Sequence, residues 1–334
     1  MRLKTVCLLA AIWFSLMLSC SDQTGAVKKL TITVIPKGTT HLFWQSIHAG
    51  AIKAAKELGI DIVWVGPEKE DDRQQQIALV DNQIISQVDG IVLAPLDDQA
   101  LRRPVKAAVD KNIPVVIIDS DLLDAEDLYI SFVATDNREG GRIAARELSR
   151  LLAGKGRVMM LRCQEGSAST ENREAGFLEE IAKSTGIEVA SSEQYGGATV
   201  AQALQASENL LMRFKDGAES LSVDGIFSSN ESTTYGMLQG LRRHRLAGKV
   251  KFVGFDTAEP LLEGIRLGEI DGLVSQNPFK MGYLGVKTMV QHLRGEAVLK
   301  RIDTGVAFVT RENLDRPETK EFINPDVAKW LSQE

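Results

Sequence analysis

The chain has 334 residues, a length that favours two domains over a single hydrophobic core. Hydrophobic residues make up 44% and charged residues 25% of the chain, which is typical of a soluble globular protein. The net charge of -6 and the pI near 5.5 argue against a nucleic-acid-binding protein, which needs a basic face.

The first 19 residues predict an export signal. Arg2 and Lys4 are followed by an apolar run at residues 6–18 that is too short for a comfortable membrane span. The ending Met17-Leu18-Ser19-Cys20 resembles a bacterial lipoprotein box, which implies cleavage before Cys20 and a lipid on its sulfur. We therefore expect residues 20–29 to be a tether, and the lipid to be the protein's only membrane contact.

Apolar strand patterns and amphipathic helix patterns alternate along the rest of the chain. The first half predicts strands at residues 30–36, 60–65, 88–95, 113–119 and 128–134, and helices at 43–58, 72–87 and from 136. The second half predicts strands at 156–161, 187–191, 223–230, 250–256 and 272–275, helices at 167–183, 200–214, 261–266 and 281–293, and a late strand at 306–310 before a polar C-terminal arm. This alternation predicts an α/β fold with parallel sheets covered on both faces.

One strand-helix-strand stretch occurs twice. The first copy begins at Val88-Asp89-Gly90-Ile91 and ends on Asp119, and the second begins at Val223-Asp224-Gly225-Ile226 and ends on Asp256. Ligands of parallel sheets bind beyond the carboxyl ends of the strands, so both aspartates are candidate site residues, one from each half. The alternative is that each aspartate only caps the turn or helix that follows it.

Aromatic and polar side chains follow the predicted strands in both halves. The candidates are His41, Phe43, Trp44, Asp119, Ser120, Glu171, Arg173, Asn230, Asp256 and Gln276. Aromatic rings can stack on the apolar C–H face of a sugar, and its hydroxyls can donate to carboxylates. Side-chain amides both donate and accept, which also suits hydroxyls. The set therefore predicts a polyhydroxylated ligand.

The strand-end residues and the sequence around them resemble those of a known family. The chain is similar to the periplasmic sugar-binding proteins of ABC importers, of the ribose-binding-protein type, whose fold LacI-like repressors share. Eight pieces in the family's order carry the resemblance. They are the Phe43-Trp44 opening with Gly50-Ala51-Ile52-Lys53; Val88-Asp89-Gly90-Ile91; 113–119; Ala134-Thr135-Asp136-Asn137 with Gly140-Gly141; 173–177; Ser229-Asn230-Glu231; Val253-Gly254-Phe255-Asp256; and Ser275-Gln276-Asn277-Pro278.

The resemblance implies the type I periplasmic binding protein fold, with two similar doubly wound lobes joined by a three-crossing hinge. The first lobe would comprise residues 30–134 and 277–303, and the second 135–276 and 304–334. A sugar-like ligand would bind between the lobes and close them. The partners would be the membrane subunits of an ABC importer, and the protein would be a monomer in the periplasm or at the cell surface. The resemblance implies neither catalysis nor a cofactor or metal.

The resemblance also assigns roles to individual residues. Phe43 and Trp44 match the aromatics that hold the sugar ring, and Asp119, Asn230, Asp256 and Gln276 match polar contacts of the family. His41 falls where an asparagine often contacts the ligand. Ser120 stands where family members that bind simple aldoses often have an arginine. A second ligand-binding arginine of the family would fall near Glu171, and the nearest arginine here, Arg173, lies two places further on. Ala198 falls near the position of an aromatic residue that contacts the ligand in some members. These departures imply a differently shaped or larger pocket, so the resemblance does not identify ribose as the ligand.

Several alternatives stay open. The protein could present its ligand to a sensor kinase or chemoreceptor, or be a regulator, although the export signal and the missing DNA-binding helices oppose the latter. A glycosidase would need its two catalytic carboxylates at a fixed separation, and Asp119 and Asp256 would not keep one because they belong to lobes that move apart.

Individual candidate residues also have structural explanations that need no ligand. Phe43 and Trp44 could be core residues, and His41, Asn230, Asp256 and Gln276 could be helix caps or turn residues. Glu171 and Arg173 could be a solvated helix start.

Overall fold

The computed structural model describes residues 29–323 and 326–333, so the predicted export signal and Cys20 lie outside the described residues. The strands are β1 (Thr31–Ile35), β2 (Asp61–Trp64), β3 (Gly90–Leu93), β4 (Val115–Ile118), β5 (Ser131–Ala134), β6 (Lys155–Arg162), β7 (Gly186–Tyr195), β8 (Gly225–Ser228), β9 (Lys251–Phe255), β10 (Gly272–Gln276), β11 (Arg301–Asp303) and β12 (Val306–Val309). The helices are α1 (Leu42–Leu58), α2 (Arg73–Ile85), α3 (Arg102–Asp110), α4 (Asn137–Leu151), α5 (Ala168–Ile181), α6 (Val200–Arg213), α7 (Glu231–Arg243), α8 (Glu259–Leu267), α9 (Pro278–Leu293), α10 (Pro317–Ile323) and α11 (Val327–Leu331).

The strands form two six-stranded sheets with the same arrangement. The first sheet has the order β11-β5-β4-β3-β1-β2, and all its neighbours are parallel. The second has the order β12-β10-β9-β8-β6-β7, in which only the edge strand β12 runs antiparallel to its neighbour. The predicted α/β fold of two similar doubly wound lobes is therefore confirmed. We call the first sheet with α1, α2, α3 and α9 the first lobe, and the second sheet with α4 to α8 the second lobe.

The central strands are buried because helices cover both faces of each sheet. Every residue of β3, β4 and β8 is buried, which explains their unbroken apolar sequence. Helices α4 and α5 approach closely on the second lobe, and a Cβ at Gly141 of α4 would collide with the main-chain oxygen of Arg173. This close approach fixes the position of α5, which carries several side chains into the crevice between the lobes.

Three short connections link the two sheets. They follow β5, β10 and β11, and lead to α4, α9 and β12 respectively. Two of them touch each other, since the hydroxyl oxygens of Thr135 and Thr304 are 3.3 Å apart and Thr135 also donates to the Gly305 carbonyl at 3.2 Å. Paired connections of this kind can bend together when the lobes move.

The last helix differs from the predicted division of the chain, which placed residues 304–334 in the second lobe. Helix α10 contacts β10 and β12 of that lobe, but α11 packs against α1 of the first lobe. The ammonium of Lys53 lies 5.9 Å from the ring centre of Trp330, and Lys56 donates to Gln333 at 3.0 Å. The physical reason for this packing of α11 is that Trp330 contacts an amphipathic surface of α1. Within residues 29–323 and 326–333, no helix combines the length and apolarity that crossing a bilayer requires.

Candidate ligand-binding site

Two aspartates follow corresponding strands of the two lobes. Asp119 comes directly after β4, and Asp256 directly after β9. Both have left-handed backbone, with φ of 61° and 68°, a conformation that is uncommon outside glycine but tolerated by aspartate. Both side chains are buried beyond the carboxyl ends of the strands, where open parallel sheets bind ligands.

A cavity of roughly 330 Å³ lies between the lobes at these strand ends. The first lobe contributes Lys37, His41, Phe43, Trp44, Glu70 and Asp119, and the second contributes Ser167, Ser169, Thr170, Arg173, Asn230, Glu231, Asp256 and Gln276. This volume is at the lower end for a small-molecule site. Much of it is narrow crevice with room for only a few water molecules, so a ring-sized ligand requires the lobes to separate.

A larger depression of roughly 870 Å³ lies beside the chain crossings, lined by residues such as Thr135, Arg138 and Arg301. Its lining includes residues of β5 and β11 of the first sheet, but among the described residues no strand of the second sheet reaches it. We place the site in the interlobe cavity because strands of both lobes direct buried polar side chains into it.

The aromatic wall consists of Phe43 and Trp44 at the start of α1. Their rings meet edge to face, with centroids 4.9 Å apart. Trp44 is 2% exposed, packs in the core of the first lobe, and donates its indole N–H to Glu70 at 2.6 Å. Phe43 is only partly buried. Trp44 is therefore a core residue that also lines the cavity, whereas Phe43 has the more exposed ring of the two.

The cationic end of the cavity comprises Lys37 and Arg173. The Lys37 ammonium reaches across the crevice, 2.9 Å from Asp119 Oδ2, and donates to the hydroxyls of Ser167 and Ser169 at 3.2 and 2.9 Å. Because these serines belong to the second lobe, Lys37 connects the two lobes through buried contacts.

Arg173 lies on α5 and is 2% exposed. It donates to Asn137 Oδ1 at 2.8 Å and to the Ser229 carbonyl at 3.1 Å, and its guanidinium stacks 4.2 Å from the Phe255 ring centre. One of its terminal nitrogens is 3.9 Å from Asp119 Oδ1. Arg173 is therefore held rigidly, and a buried arginine supported in this way is a structural part of the site rather than a solvated helix start.

The opposite end holds the acceptor cluster, which we define as Glu231, Asp256 and Gln276. Asp256 accepts from the Glu231 main-chain N–H at 2.9 Å and from the Gln276 side-chain amide at 2.8 Å. Glu231 accepts from the main-chain N–H of Phe43 at 3.2 Å, across the lobes. Within the described part of the chain, Gln276 Oε1 is buried and accepts no hydrogen bond.

His41 and Glu70 form an ion pair beside this cluster, with Nδ1 and Oε1 2.8 Å apart. Burial opposes the charge on His41, but the Glu70 carboxylate outweighs it and raises the pKa of His41 to about 9. Burial raises the pKa of Glu231 to about 7; neighbouring His41 opposes this shift and Asp256 adds to it. Burial also raises the pKa of Asp256 above its ordinary value, against the favourable field of Arg173. Negative charge in the acceptor cluster is thus costly.

The structure brings most of the predicted site residues together. The cavity lining includes His41, Phe43, Trp44, Asp119, Arg173, Asn230, Asp256 and Gln276. The side chain of Asn230 also caps α7, accepting from the Thr233 N–H at 3.1 Å, so capping and lining coexist there. His41 precedes α1 but makes no side-chain cap.

Ser120 and Glu171 lie outside the lining, so the structure does not bring them to the cavity. The Ser120 hydroxyl accepts the main-chain N–H of Ser169 at 3.0 Å, a contact between the lobes. Glu171 accepts the Gly166 N–H at 2.8 Å and stabilises the loop before α5. Both side chains are occupied by main-chain donors, which is the physical reason that they do not face the crevice.

Sequence reasoning missed five lining residues that contribute charge or hydroxyls: Lys37, Glu70, Ser167, Ser169 and Thr170. Glu231 belongs to the Ser229-Asn230-Glu231 piece of the resemblance and directly follows the predicted strand-end Asn230, but it was not among the candidate site residues. Lys37 could have been predicted as a site residue, because it lies in the turn directly after the first predicted strand. Glu70 could not have been predicted from the sequence, since it lies in a polar loop whose path is set by tertiary structure.

The sequence of the chain is similar to that of a known protein family. A family model described as "Periplasmic binding protein domain" matches residues 32–297. The D-ribose/D-allose-binding protein of Pseudomonas aeruginosa is 27% identical over 275 residues, which cover 80% of this chain and 84% of that protein. The ribose import binding protein of Escherichia coli is 26% identical over 306 residues, covering 91% and 98%.

Solved structures agree in fold. A carbohydrate transporter solute-binding protein from Agrobacterium radiobacter, in complex with D-arabinose, has a TM-score of 0.84 and 33% identity, covering 90% of this chain and 100% of that one. An ABC transporter solute-binding protein from Agrobacterium vitis, with bound D-fucose, has a TM-score of 0.82 and 34% identity, covering 88% and 99%. The chain is thus similar over nearly its whole described length to two-lobed proteins that hold small ligands.

Proposed function

Because the chain belongs to the periplasmic binding protein family, we propose that it captures a sugar-like ligand between its lobes and delivers it to an ABC importer. The observation that carries this proposal is the interlobe cavity, which buries an aromatic face beside carboxylates and a glutamine. Relatives of the same fold are named for ribose and allose, and solved structures contain D-arabinose and D-fucose. The ligand's hydroxyls would donate to Asp119 and to the acceptor cluster, and its ring would lie against Phe43.

The contacts between the lobes support capture by hinge closure. They include polar contacts, such as the hydrogen bond from the Asp98 N–H to the Gly166 carbonyl at 2.9 Å and that from the Gln164 amide to the Glu70 carbonyl at 2.7 Å. Water can replace such hydrogen bonds when the lobes part, so opening costs far less than separating an apolar core would. A ligand that bonds to both lobes would shift the equilibrium towards the closed form.

We propose that the protein does not act on its ligand chemically. Asp119 and Asp256 come from lobes that move relative to each other, and each is already held by buried partners. Incubation with aryl glycosides tests this directly. Turnover that disappears in the Asp256→Asn variant would overturn a binding-only function.

We further propose that the mature protein is a lipid-anchored monomer outside the cytoplasm, with Cys20 as the lipid attachment point. Expression of the full chain followed by membrane fractionation tests the anchor. Cys20→Ser should move the exported protein from the membrane to the soluble fraction, and an unchanged distribution would refute the anchor. Light scattering of the soluble form would show whether it is monomeric.

The first experiment for the ligand is a thermal-shift screen of residues 21–334 against monosaccharides, disaccharides and polyols. A ligand that binds only the folded state raises the melting temperature by mass action. We expect a clear shift with at least one of them, and loss of that shift in Asp256→Asn. A panel without any shift would contradict the sugar-like ligand and favour presentation of another signal molecule to a membrane sensor.

A further inference from the structure

The charges that line the cavity do not balance. The lining contains four carboxylates, on Glu70, Asp119, Glu231 and Asp256, and three cationic groups, on Lys37, His41 and Arg173. Lys37 is paired with Asp119 at 2.9 Å and His41 with Glu70 at 2.8 Å. Arg173 is therefore left as the balance for two carboxylates, Glu231 and Asp256, and one negative charge is in excess.

That excess lies at the acceptor cluster rather than at the cationic end. Arg173 is 3.9 Å from Asp119 and is held by Asn137 and Ser229, so it cannot swing towards Glu231. Burial raises the pKa of Glu231 although neighbouring His41 opposes the shift, and the Asp256 carboxylate adds to it, so the positive charge near the cluster does not fully compensate its carboxylates. An uncompensated buried carboxylate is costly, so a cation at this place would be strongly favoured.

The same cluster has more hydrogen-bond acceptors than donors among the described residues. Gln276 is 2% exposed, and its Oε1 accepts nothing within the described residues. Glu231 accepts the Phe43 N–H through Oε2, and among residues 29–323 and 326–333 no donor to its Oε1 is present. Asp256 uses one lone pair on each oxygen and keeps acceptor capacity. A hydroxyl has one proton to donate and no charge, whereas an ammonium has three protons and the missing charge.

We propose that the natural ligand carries a basic amine on its sugar-like ring, and that the ammonium lies between Glu231, Asp256 and the side-chain oxygen of Gln276. This inference rests on the proposed function and narrows its ligand to amino sugars or amino-substituted polyols. The ring would extend from the acceptor cluster past Phe43 towards the cationic end, where Lys37 and the two serines would meet its remaining hydroxyls.

Calorimetry with matched ligands tests the inference on the wild-type protein. The pairs are D-glucosamine with D-glucose, D-galactosamine with D-galactose, and an inosamine with myo-inositol; each amine is also tested as its N-acetyl derivative, and D-glucuronate is included as an acid. We expect at least one amine to bind ~10-fold or more tightly than both its hydroxyl parent and its N-acetyl form, as a charge-assisted hydrogen bond implies. Glu231→Gln should abolish that preference, whereas Glu171→Gln, outside the lining, should keep it.

The outcomes separate the two proposals. A neutral sugar or the acid binding as tightly as, or more tightly than, every amine would overturn the amine and leave the sugar-like ligand standing. A panel in which nothing binds would overturn both. An amine preference that survives in folded Glu231→Gln would show that the ammonium lies elsewhere, and would overturn the assignment to the acceptor cluster.

Discussion

Replacing Asp256 by asparagine should weaken ligand binding by at least an order of magnitude. Asparagine is the appropriate substitution because it tolerates the left-handed backbone found here, with φ of 68°, better than alanine does. In the wild type, the two carboxylate oxygens of Asp256 each face a donor, the Glu231 N–H and the Gln276 amide. An asparagine can accept from only one of them, and its own NH2 then faces the other donor.

The expected size of the effect comes from these contacts. A hydrogen bond to a charged group contributes about 1.5–3 kcal/mol, and each 1.36 kcal/mol corresponds to a factor of ten. Loss of one such bond to the ligand therefore lowers affinity about 12- to 160-fold. Rearrangement of Gln276, whose amide loses its acceptor in one of the two asparagine orientations, would add to this loss.

Calorimetry with the ligand from the thermal-shift screen measures the change, and circular dichroism verifies that the variant is folded. Asp271→Asn is a matched control, because Asp271 also accepts a main-chain N–H, from Phe252 at 2.9 Å, but lies at the other end of β9. Its affinity should match the wild type. A folded Asp256→Asn with affinity within twofold of the wild type would refute the placement of the site.

Three further predictions concern stability and closure. Gly141→Ala should lower the free energy of unfolding by about 2 kcal/mol in urea titration, because its Cβ meets the rigid main chain at Arg173; Gly240→Ala, whose nearest contact is a side-chain atom at 3.2 Å, should be nearly neutral. The raised pKa of His41 means that its imidazolium contributes stability fully below pH 6.5 and loses it as the pH rises to about 9, roughly 3 kcal/mol in all. His41→Gln should flatten that slope in unfolding measured from pH 6 to 9, and a slope equal to the wild type would contradict the ion pair with its neighbouring carboxylate. Lys37→Met should make the closed form less favourable by ~3 kcal/mol and increase the radius of gyration in small-angle scattering, because a buried carboxylate loses its nearest partner; an unchanged radius together with unchanged ligand affinity would refute this role of Lys37.

The two-lobed fold was predictable because it rests on long, buried, repeated patterns. Strand β4 is wholly buried, and its apolar run can be read directly from the sequence. The antiparallel direction of β12 could not be predicted, because this edge strand has only four, mostly half-buried residues and its short pattern does not distinguish parallel from antiparallel pairing. Strand β11 has only three residues, two of them exposed, so it offered no hydrophobic run at all. It exists because it extends the first sheet beside β5.

The cavity lining was predictable at the carboxyl ends of buried strands, where Asp119 and Asp256 directly follow a strand and Gln276 is the last residue of one. It was not predictable where position depends on how loops fold across the crevice. Ser120 illustrates the limit. The left-handed turn at Asp119 directs consecutive side chains to different sides, so that one pairs with Lys37 and the next meets α5. The pairing of His41 with Glu70 joins two loops and has no sequence signature.

The return of α11 to α1 has a topological consequence. The described part of the chain begins in the first lobe at β1, and its last helix, α11, packs against α1 of the same lobe. Lys29 and Gln333 are therefore both fastened to the first lobe, through Asp61 and Lys56 respectively. Fluorophores at these two places would keep a constant separation while the lobes open and shut. A sensor that reports the motion must carry one of its labels on the second lobe, because that lobe moves relative to both Lys29 and Gln333.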